Sequence, residues 1–356
     1  MKDSEEELVE KLKDDHCLTL DEYESLIEKR DEEASALLKK YANEERESVF
    51  GKDVYIRGLI EFSNICKNDC FYCGIRRSNK NIERYRLSKD DILLCCSEGY
   101  ELGFRTFVLQ SGEDPYFTDD VLCDIIEAIK TEHPDCAITL SLGERSHKSY
   151  KRLFDAGADR YLLRHETADE EHYKKLHPEE MSFSHRMNCL YELKEIGYQT
   201  GCGFMVGSPF QTNATLAKDL KFIEEFRPHM CGIGPFIPHH DTIYAKEEPG
   251  TLELTCFLLS VLRLIHPEMN IPATTALSTI NETGREEGLL AGANVIMPNL
   301  SPTEVRKYYA LYDNKRCTGE ESAQCRFCIE TRVESAGFHI AVSRGDYIGA
   351  KAAPAV

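Results

Sequence analysis

From Ser4 to about Ser48 apolar residues recur three and four apart between charged ones, at Leu8, Leu12, Leu18, Tyr23, Leu26, Ile27, Ala34, Leu37 and Leu38. That period predicts two or three amphipathic helices packed on the outside of the larger domain C-terminal to them. Asp21 is placed to cap a helix beginning near Glu22. The many acids among them read as a solvated face without chemistry of its own.

After Gly51 the pattern changes. Residues 54–62 form a strand-like run, and further β-rich runs lie at 106–110, 137–142, 160–165, 200–206, 231–236, 271–276 and 293–297. Helical patterns separate them near 89–102, 119–131, 146–156, 184–196, 214–226, 252–265 and 282–291, with a last one at 302–311. Repeated βα units argue for parallel strands joined by right-handed crossovers. Eight of them predict an α/β fold, a (β/α)8 TIM-type barrel, in which chemistry gathers at the carboxyl ends of the strands. Gly103, Gly157, Gly197 and Gly292 each stand just before a strand, where a helix C-terminal cap belongs. The expected organisation is an N-terminal helical extension over 1–50, a barrel over 51–311, and an irregular segment over 312–356 whose small-residue tail is partly disordered.

Composition narrows the partners. Hydrophobic residues make up 42% of the 356, enough for a large core. Lys and Arg number 43 against 62 Asp and Glu, a formal charge of −19, which argues against a nucleic-acid surface. An anionic ligand must therefore be met by local Arg and Thr groups rather than by the global field. No apolar run reaches membrane-spanning length, and Met-Lys-Asp-Ser-Glu-Glu-Glu-Leu lacks the apolar core of a signal peptide, so the expected location is cytoplasmic. In that setting the 15 cysteines are reduced thiols and metal ligands rather than disulfides. Cys17, Cys95, Cys96, Cys123, Cys136, Cys189, Cys202, Cys231 and Cys256 are scattered through periodic segments, as small buried hydrophobes are.

Cys66, Cys70 and Cys73 are different. They form a CxxxCxxC array in the loop after the first predicted strand. Thiolates are soft ligands suited to iron-sulfur clusters or zinc, and three at this spacing wrap one compact centre. With no fourth local ligand, an iron-sulfur cluster would keep one iron open for chemistry. A zinc knuckle, or thiols with no metal, is the competing reading, although zinc ribbons pair one CxxC with a second.

The residues after the other strands are more polar than a packed core needs. Gln110-Ser111-Gly112-Glu113-Asp114 is either an ordinary turn or one aimed at a carboxylate or ribose. Thr139, Ser141 and Glu144 stand at alternate or near-alternate positions that face the barrel interior. Arg160, Arg164, His165 and Glu166 crowd the fourth strand; charges there are costly unless bound to a ligand or joined in a salt bridge. His165 is a core or a functional histidine. Arg186, opening a helix after a Ser-rich turn, is placed to reach back to an anion. Glycines ending the fifth and sixth strands suit a backbone that approaches a cofactor. Adjacent His239 and His240 point in different directions, which favours a loop role over metal binding. Thr274 and Thr275 offer hydroxyls to an anion, or are ordinary β-branched strand residues. Cys317, Cys325 and Cys328 make a second triplet, Cx7CxxC, too clustered for chance and suited to a second metal centre.

The CxxxCxxC array with Tyr72 before its last cysteine resembles the signature of the radical S-adenosylmethionine (SAM) superfamily, in which three cysteines hold a 4Fe-4S cluster whose fourth iron chelates SAM. The resemblance extends through CKNDCFYCGIRRSNKNIERYR, VLQSGEDPY, ITLSLGE, ADRYLLRHETAD, MVGSPFQT, GIGPFIPHHDT, IPATTA and GANVIMPN, from Asp53 to Cys328. Across that span the chain resembles the HydE family, radical SAM maturases of FeFe-hydrogenase within the biotin-synthase-like group. The resemblance implies a barrel around an internal cavity, with the cluster on Cys66, Cys70 and Cys73. It implies that Tyr72, Gln110, Ser141, Glu166, Arg186 and Met230 line SAM, and that Thr139, Arg160, Thr274, Thr275 and Tyr309 line deeper substrate and anion sites. Cys317, Cys325 and Cys328 match a second, peripheral iron-sulfur cluster that varies among members. Relatives commonly carry Gly in place of Phe210, which puts the local turn in question.

The implied chemistry is reductive cleavage of SAM to a 5′-deoxyadenosyl radical, fed by an external electron donor. That radical attacks the cysteine sulfur of an Fe(CO)2(CN)-cysteine precursor delivered by the maturase HydG; later assembly of the two-iron subcluster needs HydF and the hydrogenase. Two other classes remain open. One is a methylornithine synthase-like radical mutase, and the other is a non-enzymatic iron-sulfur scaffold.

Overall fold

The computed structural model describes residues 4–316, 323 and 325–349. Ser4, Thr19 and Asp31 accept from the backbone N–H three residues on and so start α1 (Glu5–Asp15), α2 (Leu20–Glu28) and α3 (Glu32–Phe50). Thr19 rather than Asp21 is the cap of α2. The Glu22 side chain returns a bond to the Thr19 N–H at 2.8 Å, completing a capping box.

The expected first strand is broken into β1 (Asp53–Ile56) and β2 (Gly58–Ser63). The chain continues through α4 (Lys89–Glu101), β3 (Thr106–Ser111), α5 (Asp119–Glu132), β4 (Ala137–Ser141), α6 (His147–Asp155), β5 (Arg160–Leu162), α7 (Glu170–Leu176) and α8 (Phe183–Ile196). Then come β6 (Gln199–Cys202), β7 (Met205–Val206), α9 (Asn213–Phe226), β8 (Met230–Cys231), β9 (Gly234–Pro235), α10 (Leu252–Ile265), α11 (Thr275–Ile280) and α12 (Gly284–Leu290). Last are β10 (Val295–Ile296), α13 (Thr303–Arg306), α14 (Arg326–Ser335) and β11 (His339–Ala341). The expected helix over 302–311 is thus one turn only.

β2, β3, β4, β5, β6 and β8 pair in parallel in that order. Single parallel bridges complete the ring, Met230 to Asn270 and Pro272 to Val295, and β10 then pairs with β1 while Asn299 bridges to Leu59. The pairings therefore run round a closed circuit, as the (β/α)8 reading requires. The seventh strand survives only as the bridges at Asn270 and Pro272, so Thr275 opens α11 instead of ending a strand. β7 and β9 make a separate parallel pair beyond the ends of β6 and β8.

The outward faces of the strands are apolar, with Phe107, Leu109, Ile138 and Leu140 buried against the helices. α10 is apolar on nearly every side because α3 packs along its outer surface. Arg46 from α3 reaches into the same region and donates to the carbonyls of Ala293, Gly51 and Asp53, which locks the helical extension onto the barrel.

The segment after 312 is more regular than expected. β11 pairs with β1 on the edge away from β10, Asp53 to Tyr55 against His339 to Ala341. The chain then turns beneath the barrel. Arg344 O accepts from Thr106 Oγ1 at 2.8 Å and from Arg160 at 2.7 Å, and Gly345 O accepts from Arg57 and Asn270, each at 3.3 Å. Thr106, Arg160 and Gln199 open their strands, so this plug closes the amino-terminal foot of the barrel.

Candidate active site

Between β2 and α4 the chain is irregular and depends on side chains for its shape. Arg84 gathers the carbonyls of Asn64, Ile75, Arg76 and Asn79 with one guanidinium. Gly74 donates to Leu311 O at 2.8 Å, and a Cβ there would meet Ala310 O at 2.2 Å. Gly112, just after β3, is equally constrained: its Cβ would lie 2.4 Å from Ile65 O and 2.8 Å from Cys66 Cβ. Both positions let backbone close on the loop only because they lack a side chain.

The loop brings Cys66, Cys70 and Cys73 together at the barrel mouth. Desolvation pushes all three thiols up, Cys73 to about 12, and Cys66 and Cys73 add to the rise at Cys70. Three thiolates gathered in a partly buried loop are costly unless a multivalent cationic centre neutralises them. Three soft thiolates in one loop suit an iron-sulfur cluster.

Around the thiols the polar residues converge. Tyr72 is half-buried; desolvation, then Glu166, pushes its hydroxyl up, and its ring stands edge-on to His177 with the OH 3.3 Å from Nε2. Arg186 donates to Glu144 Oε1 at 2.5 Å and to Arg164 O at 2.8 Å, and its charge reaches Cys70. Glu166 sits at φ +67° with its N–H on Gly203 O, and its Oε2 lies 3.2 Å from Arg164 Nη2 but is otherwise a buried oxygen without a hydrogen bond. Gln110 and Ser141 face each other across β3 and β4, and Tyr309 is buried against Gln110. Thr139 Oγ1 and Thr274 Oγ1 are likewise buried without partners. Orphaned polar atoms inside a barrel are where a polar ligand fits.

Other expected residues lie elsewhere or do other work. Met230 sits lower than the cofactor set: its Sδ takes a bond from Arg57 Nη1 at 2.8 Å, next to the plug. Arg160 is wholly buried at the foot, its fork filled by Asp346, Thr106 and Arg344 O. At the end of the fifth strand a Cβ on Gly203 would lie 2.0 Å from Gly232 O, so close strand packing alone requires glycine there. His165 is a core histidine. His239 and His240 do not point apart; their rings stack 4.4 Å apart beside Asp313. His239 Nδ1 accepts the Asp241 N–H at 3.1 Å, and His240 Nδ1 lies 2.6 Å from Asp313 Oδ1 while His239 Nε2 stands 3.9 Å from it. Cys325 and Cys328 are joined as a disulfide, and Cys317 lies outside the described residues.

Sequence reasoning passed over three buried groups. Arg57 and the Glu61–Lys315 ion pair stand inside the barrel, and Asp219 lies beneath Glu166. A charge on the apolar face of α9, in register with Leu216, Leu220 and Ile223, was the available signal for Asp219.

Residues 60–223 match the model of the radical SAM superfamily. The chain is 48% identical over 298 residues, 84% of its length and 85% of the relative's, to the [FeFe] hydrogenase maturase subunit HydE of Thermotoga maritima. This chain belongs to the HydE family of radical SAM enzymes. Within the superfamily it is also 31% identical to the 3-methylornithine synthase of Methanosarcina acetivorans, over 85% of this chain and 86% of that one. The crystal structure of methylornithine synthase (PylB) superposes with a TM-score of 0.83 over 94% of this chain and 97% of that one, at 27% identity. As a radical SAM enzyme the chain uses a 4Fe-4S cluster and SAM, and the three-thiol loop is the feature that fits the cluster. No helix among the described residues is long and apolar enough to cross a membrane.

Proposed function

We propose that this enzyme acts in FeFe-hydrogenase maturation, processing an Fe(CO)2(CN)-cysteine precursor from a HydG-type maturase toward the two-iron subcluster assembled with HydF. The 48% identity to a HydE maturase over most of the chain carries this reading. When bound, the reduced cluster and SAM supply a 5′-deoxyadenosyl radical.

The chain's own residues bind, orient and exclude water. Cys66, Cys70 and Cys73 hold the cluster. Glu166 offers its spare carboxylate oxygen to ribose hydroxyls, Arg186 fixes the position of Glu144 and the charge balance beside Cys70, and Tyr72, Gln110 and Ser141 complete the wall. Thr139, Thr274 and Tyr309 lie deeper and take the substrate. The plug under the strands closes the far end, which keeps water and oxygen from a reactive species. Cys317, Cys325 and Cys328, once reduced, are suited to a second cluster.

The test is anaerobic reconstitution with iron and sulfide, reduction, addition of SAM, and quantification of 5′-deoxyadenosine beside the Cys66→Ala/Cys70→Ala/Cys73→Ala variant. Cleavage by the wild type alone, stimulated by the iron-carbonyl-cysteine complex but not by lysine, supports the maturase. Stimulation by lysine favours the methylornithine synthase reading, for which the TM-score of 0.83 speaks. Equal background from both proteins, with a loaded cluster in the wild type, leaves the iron-sulfur scaffold.

A further inference from the structure

Glu166 holds a backbone conformation that L residues avoid, φ +67°, at a cost of about 1 kcal/mol for a residue with a Cβ. Something must over-determine it. On one side its own N–H donates to Gly203 O at 3.0 Å. On the other lies Asp219, a carboxylate with no exposed surface, carried by α9.

Asp219 Oδ1 takes the Ala168 N–H at 2.5 Å and lies 3.3 Å from His165 Nε2, close to the imidazole but without making a hydrogen bond to it. His165 Nδ1 accepts the Gly203 N–H at 3.3 Å, which places the imidazole proton on Nε2 and aims it at Asp219. The ring is held between Phe204 and Phe222. One carboxylate oxygen therefore holds the chain two residues after Glu166 and lies against the residue immediately before it, and the imidazole ties the same loop to Gly203, the residue that pins Glu166 N. Burial pushes the Asp219 carboxyl well up and His165 down to about 3, so a buried carboxylate here is expensive unless the fold depends on it.

We infer that Asp219 is a positioning residue: through Ala168 N–H and His165 it fixes the 165–168 turn and so aims the Glu166 carboxylate at the nucleoside of SAM. This rests on the reading of Glu166 as a SAM ligand.

The experiment measures SAM binding by calorimetry to the reconstituted protein with its cluster oxidised, so that no cleavage occurs. The perturbation of the reduced cluster's EPR spectrum by SAM is the second readout. Asp219→Ala weakens SAM binding by about tenfold, as a displaced positioning shell does, and diminishes the EPR perturbation while iron content stays at the wild-type level. Asp219→Asn, which keeps an acceptor oxygen for the Ala168 N–H, binds within about threefold of the wild type. In a Glu166→Gln background Asp219→Ala has no further effect, because both act through one contact. Should Asp219→Ala not fold, Asp219→Ser, too short to reach the Ala168 N–H, carries the same expectation. The inference is overturned if Asp219→Ala lowers only the melting temperature, or if its effect multiplies with that of Glu166→Gln. If Glu166→Gln alone leaves affinity unchanged, the reading of Glu166 fails instead.

Discussion

The ion pair that holds the plug lends itself to a quantitative test. Arg160 is wholly buried, with Nη2 2.5 Å from Asp346 Oδ1 and 2.7 Å from Arg344 O and with Nη1 3.0 Å from Thr106 Oγ1. Asp346→Ala leaves the guanidinium hydrogen-bonded only to neutral acceptors, with the more distant Asp159 as its remaining carboxylate, while Arg57 nearby repels it. Breaking a buried pair on one side costs roughly 3–5 kcal/mol. Because the Asp346 side chain is 35% exposed, water screens part of that, and the expected loss is about 2–3 kcal/mol. Urea unfolding of the reconstituted protein, followed by circular dichroism, measures it, and Arg160→Met/Asp346→Ala should recover at least about 1 kcal/mol over Asp346→Ala because the uncompensated charge is gone. A loss below about 1 kcal/mol at unchanged denaturant slope would refute the idea that this pair anchors the plug. The pH dependence has a definite sign. Burial pushes the Asp346 carboxyl up, but Arg160 and Arg344 outweigh it and hold the group well below the usual carboxylate range. Its contribution is therefore complete above the unfolded value of about 4 and fades as pH falls through the folded one, so wild type and Asp346→Asn differ at pH 7 and converge in strong acid.

Two further substitutions test local geometry. Gly112→Ala forces a Cβ to within 2.4 Å of Ile65 O and 2.8 Å of Cys66 Cβ, so the cluster loop must shift; iron bound per chain after reconstitution should fall by about half or more while the unfolding midpoint changes little, and full iron content would refute the constraint. Phe210 holds φ +64° with 55% of its surface exposed; relief of about 1 kcal/mol of strain offsets the flexibility that glycine adds, so Phe210→Gly should unfold within about 0.5 kcal/mol of the wild type, whereas β-branched Phe210→Val should cost about 1–2 kcal/mol. Equal losses for both would show that the ring's contact with Tyr244, at 6.1 Å between centroids, dominates the site.

How much was legible can be judged element by element. The cysteine loop was plain because three thiols within eight residues stay close in any fold, and Tyr72 travels with them. The Gly caps were plain too, since a left-handed φ such as the +115° at Gly157 is a local demand. The cap of α2 was misplaced by two residues although the Thr19-Glu22 box was there to be seen. Arg160 was expected at the substrate because a charge in a strand signals function or pairing alike, and its partner Asp346 stands 186 residues away. Met230 was placed from resemblance alone, and its contact with Arg57 depends on how strands distant in sequence meet.

By itself, then, the amino-acid sequence determined the repeated alternation of strands and helices from β2 to α10, the outward apolar faces, the identity of the thiol loop and the family, because periodicity and ligand spacing are properties of near neighbours. Only the tertiary structure decided that two-residue strands and single bridges close the ring, and that the C-terminal segment seals its foot. It alone also set which polar side chains stay unpartnered inside and which, like Arg160, are consumed by structure. Each of these depends on pairs far apart in the chain, and a buried charge carries no mark of whether its partner will be a distant carboxylate or a ligand.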